Sequence, residues 1–203
     1  GKTYDDDDIQ KALSARDNEC TFSQTDDDFV VDLLTEDDNV ISVYGGGSES
    51  GRRALGNRSI LADPRSLKMK DIINDKVKHR QWFRPFAPSI LREEVSNWFV
   101  HDVDSPYMSI ALKFKDGMAD KVPAVTHNDG TARLQSVDEE DNKWYHNFIK
   151  KFGERTGVPI VLNTSFNDRE PIVETPEHAL DCFLRTNIDY LYFRDFGLLV
   201  KKV

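Results

Sequence analysis

Apolar residues recur at helical spacing in six stretches of the chain, and this periodicity predicts six helices. In the second stretch, for example, Phe29, Val30 and Leu33 fall on one helical face. Four aspartates open the first stretch, where negative charge suits the positive end of a helix dipole. The predicted helices cover residues 5–16, 26–35, 67–77, 95–99, 139–156 and 176–186.

Short alternating or continuously apolar runs between these stretches predict strands. Two prolines in residues 83–88 exclude a regular helix, so we predict that this aromatic-rich segment is extended. Strands and helices follow one another without strict alternation, which indicates a single α/β domain with a mixed, twisted sheet and flanking helices. The predicted strands cover residues 21–23, 40–44, 59–62, 107–114, 122–126, 132–137, 159–162, 190–193 and 198–202.

The composition is that of a globular intracellular domain. The chain has 203 residues, of which 38% are apolar, and this is enough to bury one good core. No apolar run approaches the ~18 residues that a membrane span needs, and the first ten residues lack the features of a signal peptide. The two cysteines, Cys20 and Cys182, form no disulfide framework, so we expect buried thiols in a reducing cytoplasm.

The charges are unevenly distributed along a chain of net charge −9. Residues 1–40 carry 13 Asp and Glu against 3 Lys and Arg, whereas residues 51–92 carry 11 Lys and Arg against 3 Asp. We therefore expect residues 1–39 to be an acidic connecting segment whose two helices pack on a domain formed by residues 40–203. Concentrated cations in an acidic protein indicate a fixed anionic ligand, although a solvated basic surface is the simpler alternative.

Three polar clusters carry the candidate chemistry. The first is Arg53 beside the glycines of residues 45–47, whose amides could approach a phosphate. The second is the basic run 78–80, and the third is the polar turn 163–167 that follows an apolar strand. Lysine and arginine bind phosphate by charge and by forked hydrogen bonds, so this inventory favours a nucleotide or phosphoryl site. Ser165 lacks the surroundings of a nucleophile elbow, and the five histidines show no metal spacing, so we expect no metal site.

Several long motifs in the same order resemble the O-carbamoyltransferases of nodulation-factor and antibiotic biosynthesis, and they resemble only the C-terminal half of those enzymes. Arg52 departs from the family pattern, which usually has proline at that position. The resemblance covers roughly residues 40–200. The motifs are ESGRRALGNRSILADPR at 49–65, VKHRQWFRPFAPS at 77–89, VTHNDGTAR at 125–133, GERTGVPIVLNTSFN at 153–167 and PIVETPEHAL at 171–180.

The resemblance implies a fold like that of threonylcarbamoyl-AMP synthase (YrdC) and the formation of carbamoyl-adenylate from ATP, used with Mg²⁺, and carbamoyl phosphate. It also implies a partner, an N-terminal actin-like ATPase-type domain that holds the metal site and passes the carbamoyl group to a hydroxyl. That domain lies outside these residues, so we expect the chain to be one domain of a longer carbamoyltransferase and incomplete for full turnover.

The resemblance also assigns candidate residues. From its position at the end of a predicted helix, we also expect Lys78 to be exposed or to lie in a cleft, where its ammonium meets phosphate oxygens and contributes little to the core. The expected catalytic residues are Lys78, Arg80, Arg133 and Ser165, and the expected ligand-binding residues are Arg53, Asn163, Asn167 and His127.

Two other functions fit parts of the sequence. Trp82, Phe83 and Phe86 beside cations would suit stacking in a nucleotide- or nucleic-acid-binding module, but the overall acidity makes a nucleic-acid partner unlikely. A stand-alone threonylcarbamoyl-AMP synthase would share the fold, but the run RALGNRS at 53–59 favours the O-carbamoyl family.

Overall fold

The structure, a computed structural model, describes residues 1–203 and is built on one nine-stranded mixed sheet. The order of the strands across the sheet is β1-β9-β8-β2-β3-β7-β4-β6-β5. The β2/β8 and β4/β6 pairs are parallel and the others are antiparallel. The strands are β1 (Cys20–Gln24), β2 (Ile41–Tyr44), β3 (Arg58–Ala62), β4 (Ala87–Leu91), β5 (Ile110–Lys113), β6 (Thr131–Val137), β7 (Ile160–Ser165), β8 (Tyr190–Phe193) and β9 (Leu198–Lys202).

Helices cover both faces of the sheet, and each face has its own apolar core. One core contains Ile9 and Leu13 of the first helix together with Phe183 of the last. The other contains Phe148 and Phe152 of the fifth helix. The helices are α1 (Asp6–Ser14), α2 (Asp27–Leu34), α3 (Met69–Ile73), α4 (Val95–Trp98), α5 (Lys143–Thr156) and α6 (Pro176–Arg185). None of these helices is long and apolar enough to cross a bilayer.

The acidic residues 1–39 contribute to the sheet as well as to its helical layers. Strand β1 is an edge strand that pairs antiparallel with β9, with Cys20 opposite Lys202. Asp5 caps α1, because its Oδ1 accepts a hydrogen bond of 2.9 Å from the amide of Asp8. Asp26 caps α2 in the same way through the amide of Phe29. Part of the acidity therefore satisfies the first amides of two helices.

The strand predicted at residues 122–126 was wrong. The chain forms a 3₁₀ turn at Pro123–Val125, and Val122 and Val125 are buried in the first core. Pro123 has no N–H to donate to a sheet ladder. The place beside β6 is taken instead by β5, which pairs antiparallel with it. The apolar run therefore signalled burial rather than sheet pairing.

Two neighbouring elements also differ from the sequence prediction. Strand β4 begins inside the segment predicted only as extended, and it is central, with β7 on one side and β6 on the other. This strand was not predicted because it contains Pro88, and proline is rare within central strands. The helix predicted at 67–77 continues from α3 into a π-helical turn, Asn74–Lys78, which ends at His79 in the left-handed region with φ 47°. This turn directs the chain towards the site described below.

Candidate anion site at the end of the central strands

The sheet register brings three distant segments to one edge. Strand β7 runs antiparallel to β4, with Asn163 opposite Ala87. Strand β4 runs parallel to β6, with Ser89 opposite Gln135. Ala87 and Arg133 each lie two residues before this pair, so they are at the same level on neighbouring strands. The C-terminal end of β7 therefore meets the N-terminal ends of β4 and β6. A cavity of about 250 Å³ lies at this edge.

Five arginines line this cavity, and no Asp or Glu does. Arg52 and Arg53 come from the loop before β3, Arg80 and Arg84 from the loop before β4, and Arg133 from β6. Guanidinium groups gathered without a carboxylate partner favour an anionic ligand, which they can bind by charge-assisted, forked hydrogen bonds. The remaining lining residues are Ala54, Pro85, Phe86, Ala87, Met108, His127, Asn163, Thr164 and Ser165.

Arg80 is the arginine whose environment is best defined. Its guanidinium lies over the ring of Phe86, 4.3 Å from the centroid, and its Nη2 donates to the carbonyl of Pro85 at 3.4 Å. Its Nε is buried and has no partner. Burial, and then the positive charge of Arg84, lower the pKa of Arg80 to about 10, so the group still carries its charge at neutral pH. A bound anion would relieve this crowding of cations.

His127, which lines the cavity, carries an acceptor without a partner when it is neutral. The hydroxyl of Thr131 donates to Asp129 Oδ1 at 2.7 Å, so the Thr131 oxygen is left to accept from His127 Nδ1 at 3.1 Å. This tautomer leaves Nε2 bare, and that atom is buried without a partner. Burial, with Arg133 and Lys70 acting in the same direction, lowers the pKa of His127, which keeps the ring neutral near pH 7.

Asn163 is almost fully buried at the end of β7 and is held from two sides. Its Nδ2 donates to the carbonyl of Ala54 at 3.0 Å and to Gln135 Oε1 at 2.9 Å. Its Oδ1 has no partner. The side chain therefore joins the loop that carries Arg52 and Arg53 to the sheet.

Lys78 was expected to be exposed or to lie in a cleft, but it is partly buried and holds the turn that follows β7. The residue is half-buried and does not line the cavity. Its Nζ donates to Ser165 O at 2.6 Å, Asn167 Oδ1 at 2.8 Å and Asn167 O at 3.0 Å, with a longer contact of 3.2 Å to Ser165 Oγ. Burial, and then the charge of Arg80, lower the pKa of Lys78 to about 7.

Six of the eight residues expected in the site line the cavity: Arg53, Arg80, His127, Arg133, Asn163 and Ser165. Lys78 and Asn167 lie behind Ser165 and contact it. Arg52 and Arg84 were not among the expected residues, although their place in the basic stretch was a usable signal.

The glycine loop at 45–47 lies outside the cavity lining. The amide of Gly46 donates to Asp195 Oδ2 at 2.6 Å, and the carbonyl of Gly45 accepts from Arg58 Nη1 at 2.7 Å. Arg58 is completely buried, with its guanidinium 3.6 Å from the ring centroid of Tyr44. The loop's polar groups therefore stabilise the fold, and Arg58 is a structural cation rather than a ligand contact.

No three His, Cys, Asp or Glu side chains come together in a group that could hold a metal ion. Cys20 and Cys182 are free and buried, and neither lines the cavity.

The fold and the cavity define an α/β domain with an arginine-lined cavity at one end of its central strands. The sequence model of the family described as "Carbamoyltransferase C-terminus" matches residues 32–201, and the chain belongs to this family.

Named relatives agree with that assignment. Nodulation protein NolNO of Sinorhizobium fredii is 46% identical over 170 residues, covering 82% of this chain and 25% of the relative. Nodulation protein U of the same species is 42% identical over 122 residues, covering 60% of this chain and 22% of the relative. An uncharacterized protein of Methanocaldococcus jannaschii is 50% identical over 165 residues, covering 81% of this chain and 27% of the relative. The chain thus spans about a quarter of the length of these curated relatives.

Solved structures share the fold. Full-length HypF in a phosphate- and nucleotide-bound form has a TM-score of 0.57 at 16% identity, covering 85% of this chain and 25% of that chain. HypF of T. kodakarensis has a TM-score of 0.53 at 14% identity, covering 91% of this chain and 23% of that chain. At these identities the likeness shows the architecture alone.

Proposed function

We propose that this domain binds ATP and carbamoyl phosphate and forms carbamoyl-adenylate, whose carbamoyl group then passes to an acceptor hydroxyl. The observation that carries the proposal is the convergence of five arginines in one cavity without an acidic residue. Two polyanionic substrates that react with each other require such a concentration of positive charge, because their mutual repulsion opposes binding. Membership of the carbamoyltransferase family and a YrdC-like interpretation of the fold support the same reaction.

Some residues of the cavity would neutralise the charge of the substrates, and others would orient them. Arg53, Arg80 and Arg133 would bind phosphoryl oxygens and stabilise the charge that develops when pyrophosphate leaves. Asn163 and Ser165 would orient the carbamoyl end. His127 would accept a hydrogen bond when neutral and would donate one to an anion when protonated.

Mg²⁺ accompanies ATP in this proposal, and it would be held by phosphate oxygens rather than by the domain. The cavity lining contains no carboxylate, which is the ligand that Mg²⁺ prefers from proteins. Its role there is to neutralise charge on the triphosphate.

The proposed chemistry balances in two steps. Water cleaves the P–O bond of carbamoyl phosphate, which releases inorganic phosphate and leaves carbamate. A carbamate oxygen then attacks the α-phosphorus of ATP, and the bond to the β-phosphate breaks to release pyrophosphate. The arginines would serve both steps, since both are substitutions at phosphorus: carbamate leaves in the first and pyrophosphate in the second, and guanidinium groups stabilise the negative charge on the phosphoryl oxygens in each.

Transfer to the acceptor requires more protein than this chain. Since the chain spans about a quarter of its relatives, we propose that an actin-like ATPase-type domain of a longer enzyme supplies the acceptor and metal sites. The isolated domain would then make the adenylate without completing turnover.

The test is exchange of labelled pyrophosphate into ATP, measured with Mg²⁺ and with or without carbamoyl phosphate. We expect exchange that depends on carbamoyl phosphate, and calorimetric ATP binding that Arg133→Ala weakens. Failure of ATP to bind at millimolar concentration would refute the adenylation proposal.

Two further assays distinguish the alternatives. Exchange supported by threonine with bicarbonate, and not by carbamoyl phosphate, would favour a threonylcarbamoyl-adenylate synthase. Tight, salt-sensitive retention of an oligonucleotide on a filter would favour nucleic-acid binding instead.

A further inference from the structure

Three buried polar side chains on neighbouring strands form a network behind the cavity. Ser89 on β4, Gln135 on β6 and Asn163 on β7 are exposed by only 0%, 4% and 1%. Ser89 Oγ donates to Gln135 Oε1 at 2.7 Å, and Asn163 Nδ2 donates to the same oxygen at 2.9 Å. Of the three, only Asn163 lines the cavity.

Two main-chain carbonyls fix which way both amides point. Gln135 Nε2 donates to Leu55 O at 3.2 Å, and Asn163 Nδ2 donates to Ala54 O at 3.0 Å. A carbonyl oxygen can only accept, so turning either amide over would place two acceptors against each other. Ser89 strengthens this arrangement, because its hydroxyl donates to the Gln135 oxygen that also receives Asn163.

Both N–H groups of Asn163 therefore donate hydrogen bonds within the network, and Oδ1 is left without a partner. This oxygen is a permanent acceptor, since an amide does not gain a proton near neutral pH. The arginines that line the same cavity are donors only, and they suit the phosphate part of a ligand. Because Asn163 also lines this cavity, the combination of its acceptor with those donors suits a ligand that is anionic at one end and carries an N–H at the other.

We propose that Gln135 and Ser89 are positioning residues that hold Asn163 Oδ1 as the acceptor for the carbamoyl NH₂ group. The site would then select carbamoyl phosphate over acetyl phosphate, which has a methyl group in place of NH₂ and cannot donate. This inference rests on the proposed function, since it assumes that the cavity receives an acyl phosphate.

The experiment measures the affinity of the domain for carbamoyl phosphate, acetyl phosphate and inorganic phosphate by calorimetric titration. The wild type should bind carbamoyl phosphate at least tenfold more tightly than acetyl phosphate. Gln135→Met keeps the length of the side chain but frees the Asn163 amide, so it should reduce that ratio severalfold while leaving the affinity for inorganic phosphate within about twofold. Ser89→Ala should reduce the ratio less.

Ser136→Ala is the matched control. Ser136 is a buried neighbour on β6, and its hydroxyl donates to Asp104 at 2.8 Å and accepts from the amide of Ser105 at 2.7 Å, away from the network. Losing this hydroxyl should lower the melting temperature and leave the ratio unchanged. If Gln135 had a purely structural role, Gln135→Met would also lower the melting temperature and leave the ratio of the two affinities unchanged. That result would overturn its positioning role.

The wild-type measurement tests the proposal even if Gln135→Met does not fold. Equal affinities of the wild type for carbamoyl and acetyl phosphate would overturn the inference and leave the adenylation proposal standing. Loss of binding to every phosphate ligand, ATP included, would instead refute the proposed function itself.

Discussion

Replacing Lys78 by methionine tests how the turn after β7 is held. Methionine has a similar length and no charge, so the variant removes the donor with little change in packing. Ser165 O and Asn167 O, which accept from Nζ at 2.6 and 3.0 Å, would lose their contact with the lysine. Ser165 lines the cavity and Asn167 contacts it, so the variant also tests how far this turn supports ligand binding.

The magnitude follows from the carbonyl of Asn167, because Ser165 O still accepts from the amide of Asn167 at 3.0 Å. An acceptor left without a partner costs about 1–3 kcal/mol when it is buried. Part of this is recovered, because the variant no longer buries an amine. We therefore expect Lys78→Met to lower the free energy of unfolding by about 1–3 kcal/mol at pH 9, or the melting temperature by roughly 2–10 °C for a chain of this size.

The pH dependence of this loss has a definite sign. Burial lowers the pKa of Lys78 from 10.5 to about 7 in the folded state, whereas the unfolded chain keeps the ordinary value. Between pH 7 and 10.5 the unfolded state therefore binds more protons, and stability rises with pH. The stability of the wild type relative to Lys78→Met should increase over this window by at most about 1.4 kcal/mol per pH unit. It should level off below pH 7.

The assay is urea unfolding of both proteins from pH 6 to 10, with the difference in unfolding free energy plotted against pH. Lys76→Met is the control, because Lys76 lies on the same turn but pairs with Asp189 at 2.8 Å in a partly exposed salt bridge. Its removal should cost about 1 kcal/mol or less. A difference for Lys78→Met that is flat or falls with rising pH would refute the argument, because it would mean that the four oxygens around Nζ keep the ammonium charged.

Further predictions concern the cavity and its loops. Arg133 is exposed, so Arg133→Ala should leave the melting temperature nearly unchanged and weaken phosphate binding about tenfold to a hundredfold in calorimetric titration. The low pKa of His127 means that anion binding should take up a proton, so the affinity for sulfate should rise as pH falls from 7 to 5 in the wild type and stay flat in His127→Gln. Gly56→Ala should lower the melting temperature markedly, since φ is +114° and a Cβ would lie 2.6 Å from the ring of Tyr145; Gly51→Ala, with nothing within 4 Å, should have little effect.

Sequence patterns predicted those helices and strands whose local residues, such as a capping glycine, determine where they begin or end. Helix α5 ends at Thr156 as predicted, because Gly157 adopts the left-handed conformation with φ 76°. Its start was predicted four residues early, since the apolar spacing does not show that Asn142 is the cap. Strand β4 and the turn at Pro123–Val125 were misjudged for a common reason. Whether an apolar, proline-containing run pairs in a sheet depends on which neighbours occupy the adjacent edges, and a local pattern does not contain that information.

The charges of the site were visible in the sequence, but their separate roles were not. Within one basic stretch, Arg80 lines the cavity, Lys78 braces the turn behind it and Arg58 is buried on main-chain carbonyls and the Tyr44 ring. Composition counts these three cations equally. Their roles differ because burial and the nearest oxygens differ, and both are properties of the folded chain.

The register of the central strands explains how this fold assembles an arginine-lined cavity from segments that are far apart in sequence. Asn163, Ala87 and Arg133 lie at the same level of the sheet, since β7 is antiparallel to β4 and β4 is parallel to β6. A slip of one residue between β4 and β6 would turn Gln135 and Arg133 to the other face. The Ser89–Gln135 hydrogen bond of 2.7 Å joins the two strands at that level, so the contact that orients Asn163 also opposes a slip of register. Specificity and register would then depend on the same buried side chains, which gives a physical reason for placing polar groups in a core that apolar residues could otherwise fill.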